Sequence, residues 1–212
     1  MRCGAAFALA LALAACAHNP QPLTGQAAGY AQAQRDSLRY AYTKADVDFM
    51  SGMISHHAQA IVMSKWAPTH GASPAVIRLT ERIINAQTDE INMMQGWLRD
   101  RRQTVPDANP KGMSMMMNGI QQVMAMPGML TDEQMAQLDA ARNVEFDRHF
   151  LMFMIQHHRG AVAMVDQLFS ARGAGQDETV FKFANDVQVD QSTEIVRMAQ
   201  MVLELGGPPR SP

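Results

Sequence analysis

One stretch of this chain occurs twice, and that repeat constrains the fold more than any other feature. Phe49 to Met63 reads FMSGMISHHAQAIVM, and Phe150 to Met164 reads FLMFMIQHHRGAVAM, 101 positions later. At that offset Met53 falls on Met154, Ile54 on Ile155, His56 and His57 on His157 and His158, Ala60 on Ala161 and Met63 on Met164. Asp46 falls on Asp147. A second pattern follows each copy: Gln87, Glu90, Ile91 and Met94 match Gln191, Glu194, Ile195 and Met198 at an offset of 104. The unit that recurs is therefore two elements long, and an internal repeat of this kind sets the architecture.

On a helix at roughly 100° per residue, Met50, Met53, His56, His57, Ala60 and Met63 fall within about 140°, a core-facing stripe. Met53 precedes His56 and His57 by three and four residues, the spacing at which helical side chains meet. A thioether and an imidazole can share one ion from a single turn. Met63 lies about 10 Å along the axis from His56 and needs partners from another helix. A methionine stripe alone more often fills a core, and a lone inward histidine is more often a satisfied one. Packing alone, however, demands neither His-His nor the same methionine positions twice.

Around the repeat the chain reads as an exported protein. Arg2 and the Ala/Leu-rich run from Ala5 to Ala15 form a targeting segment too short to span a membrane. It ends in Leu13-Ala14-Ala15-Cys16, similar to a bacterial lipoprotein cleavage box, which makes 1–15 a signal peptide and Cys16 the lipidated first residue of the mature chain. An ordinary secretory signal is the alternative. Cys3 leaves with the signal, so no disulfide and no thiolate metal site is available. Residues 16–41 form a polar tether, 42–102 the first repeat, 103–130 a crossover, 131–205 the second repeat and 206–212 a disordered tail.

Punctuation within the repeats is helical. Pro68 ends the first helix, which begins near Gln32 or Lys44, and His70 in the following turn is a weak ligand candidate. Ser73-Pro74 starts a helix that runs to about Arg101. Thr131 to Gln134 is a capping box opening a single helix through the second motif to about Ala171, and the last helix spans about Asp177 to Leu205. The crossover holds Met113, Met115, Met116, Met117, Met124, Met126 and Met129 among Pro and Gly breakers, with room for a short helix around Met115 to Val123. It is either an adaptable cover for the bundle or a loading arm for a soft cation. A net charge of −2 argues against nucleic-acid binding.

Two helical hairpins joined by a long connection make an all-α four-helix bundle, whose metal sites lie in the core between facing helices. Thioether and imidazole without thiolate favour copper, Cu(I) above Cu(II) or Ag(I). No histidine follows a Glu by three residues, so the di-iron carboxylate pattern of such bundles is missing. The candidate metal ligands are Met53, His56, His57, Met63, Met94, Met154, His157, His158, Met164 and Met198. Gln87, Glu90, Gln191 and Glu194 are candidates for orienting them. One composite site and two separate sites are equally compatible with the pattern.

These residues carry a resemblance. Phe-x-x-x-Met-Ile-x-His-His-x-x-Ala-x-x-Met followed by Gln-x-x-Glu-Ile-x-x-Met resembles the domain-of-unknown-function family 305 over nearly all of residues 42 to 205. The resemblance implies a ferritin-like bundle, export and, in some members, copper binding linked to copper tolerance. Gly52, where the second copy has Phe153, means that the halves need not bind equally. The expectation is thus a lipoprotein of the cell envelope, anchored to a membrane through Cys16, that sequesters copper or passes it to a copper-handling envelope protein. It is expected to bind rather than catalyse. The other class of reading is a helical envelope interaction module whose His and Met are core.

Overall fold

A computed structural model describes residues 24–30 and 42–207. The signal segment 1–15, the lipidation residue Cys16, most of the tether and residues 208–212 of the tail lie outside the described residues. Within the tether, residues 25–30 are helical. Among the described residues, no helix is long and apolar enough to cross a membrane.

Four long helices carry the two repeats. Helix α1 is Lys44–Lys65 and α2 is Pro74–Asp100; α4 is Asn143–Ser170 and α5 is Glu178–Glu204; a short α3, Asp132–Ala140, precedes the second pair. Each start has a local cause. Thr43 and Thr131 close capping boxes with Asp46 and Gln134, Ser73 caps α2 ahead of Pro74, and the Asp177 carboxylate accepts from the Thr179 and Val180 amides. The pairs α1–α2 and α4–α5 pack along their lengths as hairpins, and α1 packs on α4. This is the four-helix bundle expected, with a small sheet added.

Each motif helix also fastens the other half. Asp46 on α1 accepts from the Gly175 amide (2.7 Å), in the loop between α4 and α5. Its counterpart Asp147 on α4 accepts from the Ser73 amide (3.2 Å), at the end of the loop between α1 and α2. Both carboxylates are buried, and a buried carboxylate is tolerated when backbone donors meet it.

Two expectations need correction. The crossover segment is not helical: Met113–Met117 (β1) pairs antiparallel with Ile120–Met124 (β2). Asn118 and Gly119 take φ of 53° and 79°, the left-handed pair of a two-residue hairpin turn, for which Asn-Gly is the strongest short signal. The helix expected from Thr131 to Ala171 is instead two. The chain is extended at Ala141 and Arg142, and Asn143 turns left-handed at φ 54°, a conformation that asparagine tolerates better than most residues. His70 holds this break. Its carbonyl accepts from the Asn143 amide (2.8 Å), Nε2 lies 3.0 Å from the Asp139 carboxylate, and Nδ1 lies 3.0 Å from the Thr69 hydroxyl. With both ring nitrogens engaged, His70 is structural and not a metal ligand.

Candidate metal centre

The sequence places His-His on the inward stripes of α1 and α4, and the bundle brings the two stripes together. His56, His57, His157 and His158 are all fully buried. The His56 and His157 rings, one from each half, stand with centroids 3.7 Å apart. Within each pair the rings are about equally spaced, 6.2 Å and 6.3 Å, so the halves repeat each other in geometry.

Partners outside the layer decide which nitrogen each ring can offer. His56 Nε2 lies 3.1 Å from the Pro127 carbonyl, which can only accept, so Nε2 carries the proton and Nδ1 the lone pair. His158 Nε2 lies 2.7 Å from Glu194 Oε2, and His57 Nε2 lies 2.7 Å from Glu90 Oε2 in the matching position. The second of these is close without forming a hydrogen bond, and His57 Nε2 is left without a partner. Nδ1 of all four rings, and Nε2 of His157, meet no donor or acceptor. Buried polar atoms nearly always find partners. Several unpartnered nitrogens in one buried layer form a donor set that fits a bound ion.

Burial holds His56 and His157 well below the ordinary histidine value, with the neighbouring imidazoles lowering both further. Both are neutral at pH 7, as a metal-ligating imidazole must be.

The methionines flank this layer in two buried groups, each drawn from both halves. Met53 and Met94 share one core cluster with Met164. Met154 and Met198 share the other with Met63. All six are buried, Met164 least so at 6% exposure. The separation of Met63 from its own motif, anticipated from the rise of the helix, is thus answered by the opposite half. Among the described residues no group of three or more His, Cys, Asp or Glu is arranged to hold a metal ion. An ion held by these imidazoles would draw its remaining ligands from the thioethers.

The two sides of the layer differ. Across the α1–α4 side runs the crossover. The Gln59 carboxamide accepts from the Leu130 amide (2.7 Å) and donates to the Leu130 and Pro110 carbonyls, and Gln156 donates to the Gly128 carbonyl. Gly160 permits this contact, since a β-carbon there would collide with the Pro127 carbonyl and with Gly128. On the other side, α2 and α5 leave a groove of about 340 Å³ lined by Gln87, Glu90, Asp190, Gln191, Glu194 and Arg197, among others. The Gln87 and Gln191 carbonyl oxygens are buried there without a donor. Burial, then Asp186, Glu90 and Glu194, raise the Asp190 carboxyl above its usual range. This groove leads to the two glutamates that touch the imidazoles. The pairing of His56 with His157, the Pro127 carbonyl and the groove were not read from the sequence. The close approach of Gly128 to Gly160 was not read from the sequence either.

Residues 46–202 match the family described as Domain of unknown function (DUF305). The chain belongs to that family. Among solved structures of the family, a DUF305 protein of Streptomyces coelicolor, described as secreted, is 29% identical with a TM-score of 0.65, covering 79% of this chain and 98% of that one. CopM in its Cu(I)-bound form is 28% identical with a TM-score of 0.58, covering 76% of this chain and 98% of CopM. CopM is also known in Cu(II)-bound and Ag-bound forms. Uncharacterized protein L153 of Acanthamoeba polyphaga mimivirus is 40% identical over 57 residues, 27% of this chain and 38% of that relative. The match thus spans well under half of L153.

Proposed function

We propose that this DUF305 protein is an exported copper-binding protein that sequesters Cu(I) or hands it on, with Ag(I) and Cu(II) as lesser ligands. The observation that carries this reading is the buried layer of imidazoles with orphaned nitrogens, set between two groups of thioethers. Neutral imidazole and thioether are soft or borderline donors, and with no cysteine among the described residues they suit Cu(I) best. The copper-bound and silver-bound forms of CopM support the same class of ion. Glu194 holds the ring of His158 from behind, and Glu90 stands at the matching place beside His57, the kind of outer contact that orients rings at metal sites. The groove between α2 and α5 gives an ion a polar approach to those two rings. The protein binds and releases its cargo; no nucleophile or general base is assigned.

X-ray absorption of the Cu(I)-loaded chain tests the ligand set. The expected shell contains both nitrogen and sulfur at each bound ion. A shell of nitrogen and oxygen alone would exclude the thioethers and the reading built on them.

Export and anchoring belong to the same proposal. They rest on the signal-like 1–15 and on Cys16, supported by the description of the Streptomyces relative as secreted. Two or three acyl chains on one cysteine give stable membrane attachment where one chain would not. Cys16→Ser is expected to move the protein from the membrane fraction to the soluble one, or to leave the precursor uncleaved. Wild-type fractionation and processing of that variant would contradict the anchor.

A further inference from the structure

The two halves repeat each other in their histidines and methionines but not at Gly52 and Phe153, and the structure gives this difference a chemical content. Gly52 lies inside α1, where glycine is a destabilising choice relative to alanine. A β-carbon at Gly52 would stand 2.8 Å from the sulfur of Met126 and 3.3 Å from the ε-methyl of Met164. The crossover therefore brings a thioether against the bare backbone of α1, beside the methionine that reaches the same point from α4. Met126 is half-buried and packs on the cluster that holds Met53, Met94 and Met164. In the second half Phe153 fills the corresponding position and packs on the cluster of Met63, Met154 and Met198.

The segment that carries Met126 is fixed where it sits. The next residue, Pro127, accepts from His56. Gly128 lies against the backbone of Gly160, so that neither position admits a side chain. The Met126 amide donates to the sulfur of Met129 (3.2 Å), so the Met129 sulfur is engaged within the crossover while the Met126 sulfur lies against α1. If the need were only to fill space, a larger residue on the helix would meet it, as Phe153 does. What α1 has instead is a gap that a sulfur atom enters.

We propose that Met126 is a further soft-metal ligand, a fourth thioether that joins Met53, Met94 and Met164 and makes this end of the core the tighter site for Cu(I) or Ag(I). The inference rests on the copper-binding reading above and adds to it an inequality between the halves. Thioether sulfur selects monovalent soft ions over oxygen-seeking ones, so an added thioether raises selectivity at this end and not at the other. It also couples the ion to the crossover, since the same segment holds His56.

Ag(I) is a diamagnetic probe, so methyl NMR of the full chain labelled at methionine ε-carbons reads each thioether directly. The Met126 signal is identified by its loss in Met126→Leu, a volume-conserving change. It is expected to shift with the first equivalent of Ag(I), together with Met53, Met94 and Met164. Met126→Leu should retain the wild-type melt and bind that first equivalent at least about tenfold more weakly. Gly52→Ala, which keeps Met126 but displaces its sulfur, should weaken it similarly. A Met126 signal that stays in place while the other three move, or unchanged affinity in Met126→Leu, overturns the proposal and leaves copper binding standing. No shift at any methionine overturns both.

Discussion

His56→Ala with His57→Ala is expected to lower Cu(I) affinity at least about 100-fold and to do so throughout the protein, not in one half. The reason is the mixing of the halves. His56 stands 3.7 Å from His157, and each thioether group combines methionines of both motifs. Removal of an outer contact of a metal site already costs about 10- to 100-fold, and these rings are assigned as ligands themselves. The matching change at His157 and His158 should have a similar effect. If the halves acted separately, each double variant would lose about half of the copper and hold the rest at wild-type affinity. Both variants should also melt lower without metal. The rings are fully buried, so truncation leaves cavities worth about 2–4 kcal/mol whether or not they bind an ion. Stability of the apo protein therefore does not separate ligand from core, whereas copper affinity does.

Acid should destabilise the metal-free protein from pH 6.5 downward. His56 and His157 have folded-state values lowered well below 6.5, first by burial and then by neighbouring imidazoles. The unfolded chain takes up protons on these rings as pH falls through 6.5, and the folded chain does not. Stability is therefore full above 6.5 and is lost below it, until the folded-state values are reached. The loss is about 1 kcal/mol per histidine between pH 6.5 and 5.5, and steeper below. Chemical denaturation of apo protein at several pH values measures it. In His56→Gln with His157→Gln the slope should be shallower by about 2 kcal/mol over that interval. Parallel slopes in wild type and variant would show that the two rings are not held neutral.

Much of the fold was legible because the signals were local. Ser73-Pro74, the capping box from Thr131 to Gln134 and Asp177 marked the helix starts, and the doubled motif implied two hairpins, each with its histidines on an inward stripe. The hairpin Met113–Met124 was also written locally, in Asn118-Gly119, a turn signal that the reading of the segment as a crossover with room for a short helix passed over. The break before Asn143 was harder to see, since it rests on a long-range contact with His70. The candidate ligands were readable by type and spacing. Their grouping was not, because periodicity places a residue on a face without saying which face opposes it. That Met164 joins Met53, and Met63 joins Met154, depends on the antiparallel pairing of α1 and α4. Gly52 was visible as a departure from the repeat, but its meaning lay in Met126, seventy-four positions away.

Anaerobic titration of the metal-free chain with Cu(I), in competition with a coloured chelator and with copper counted per chain, tests the central claim most directly. Wild type should draw at least one Cu(I) per chain from the chelator, and the variant lacking His56, His57, His157 and His158 should draw none while remaining helical. Full uptake by that variant, or none by wild type, would contradict the assignment of this core as a copper site.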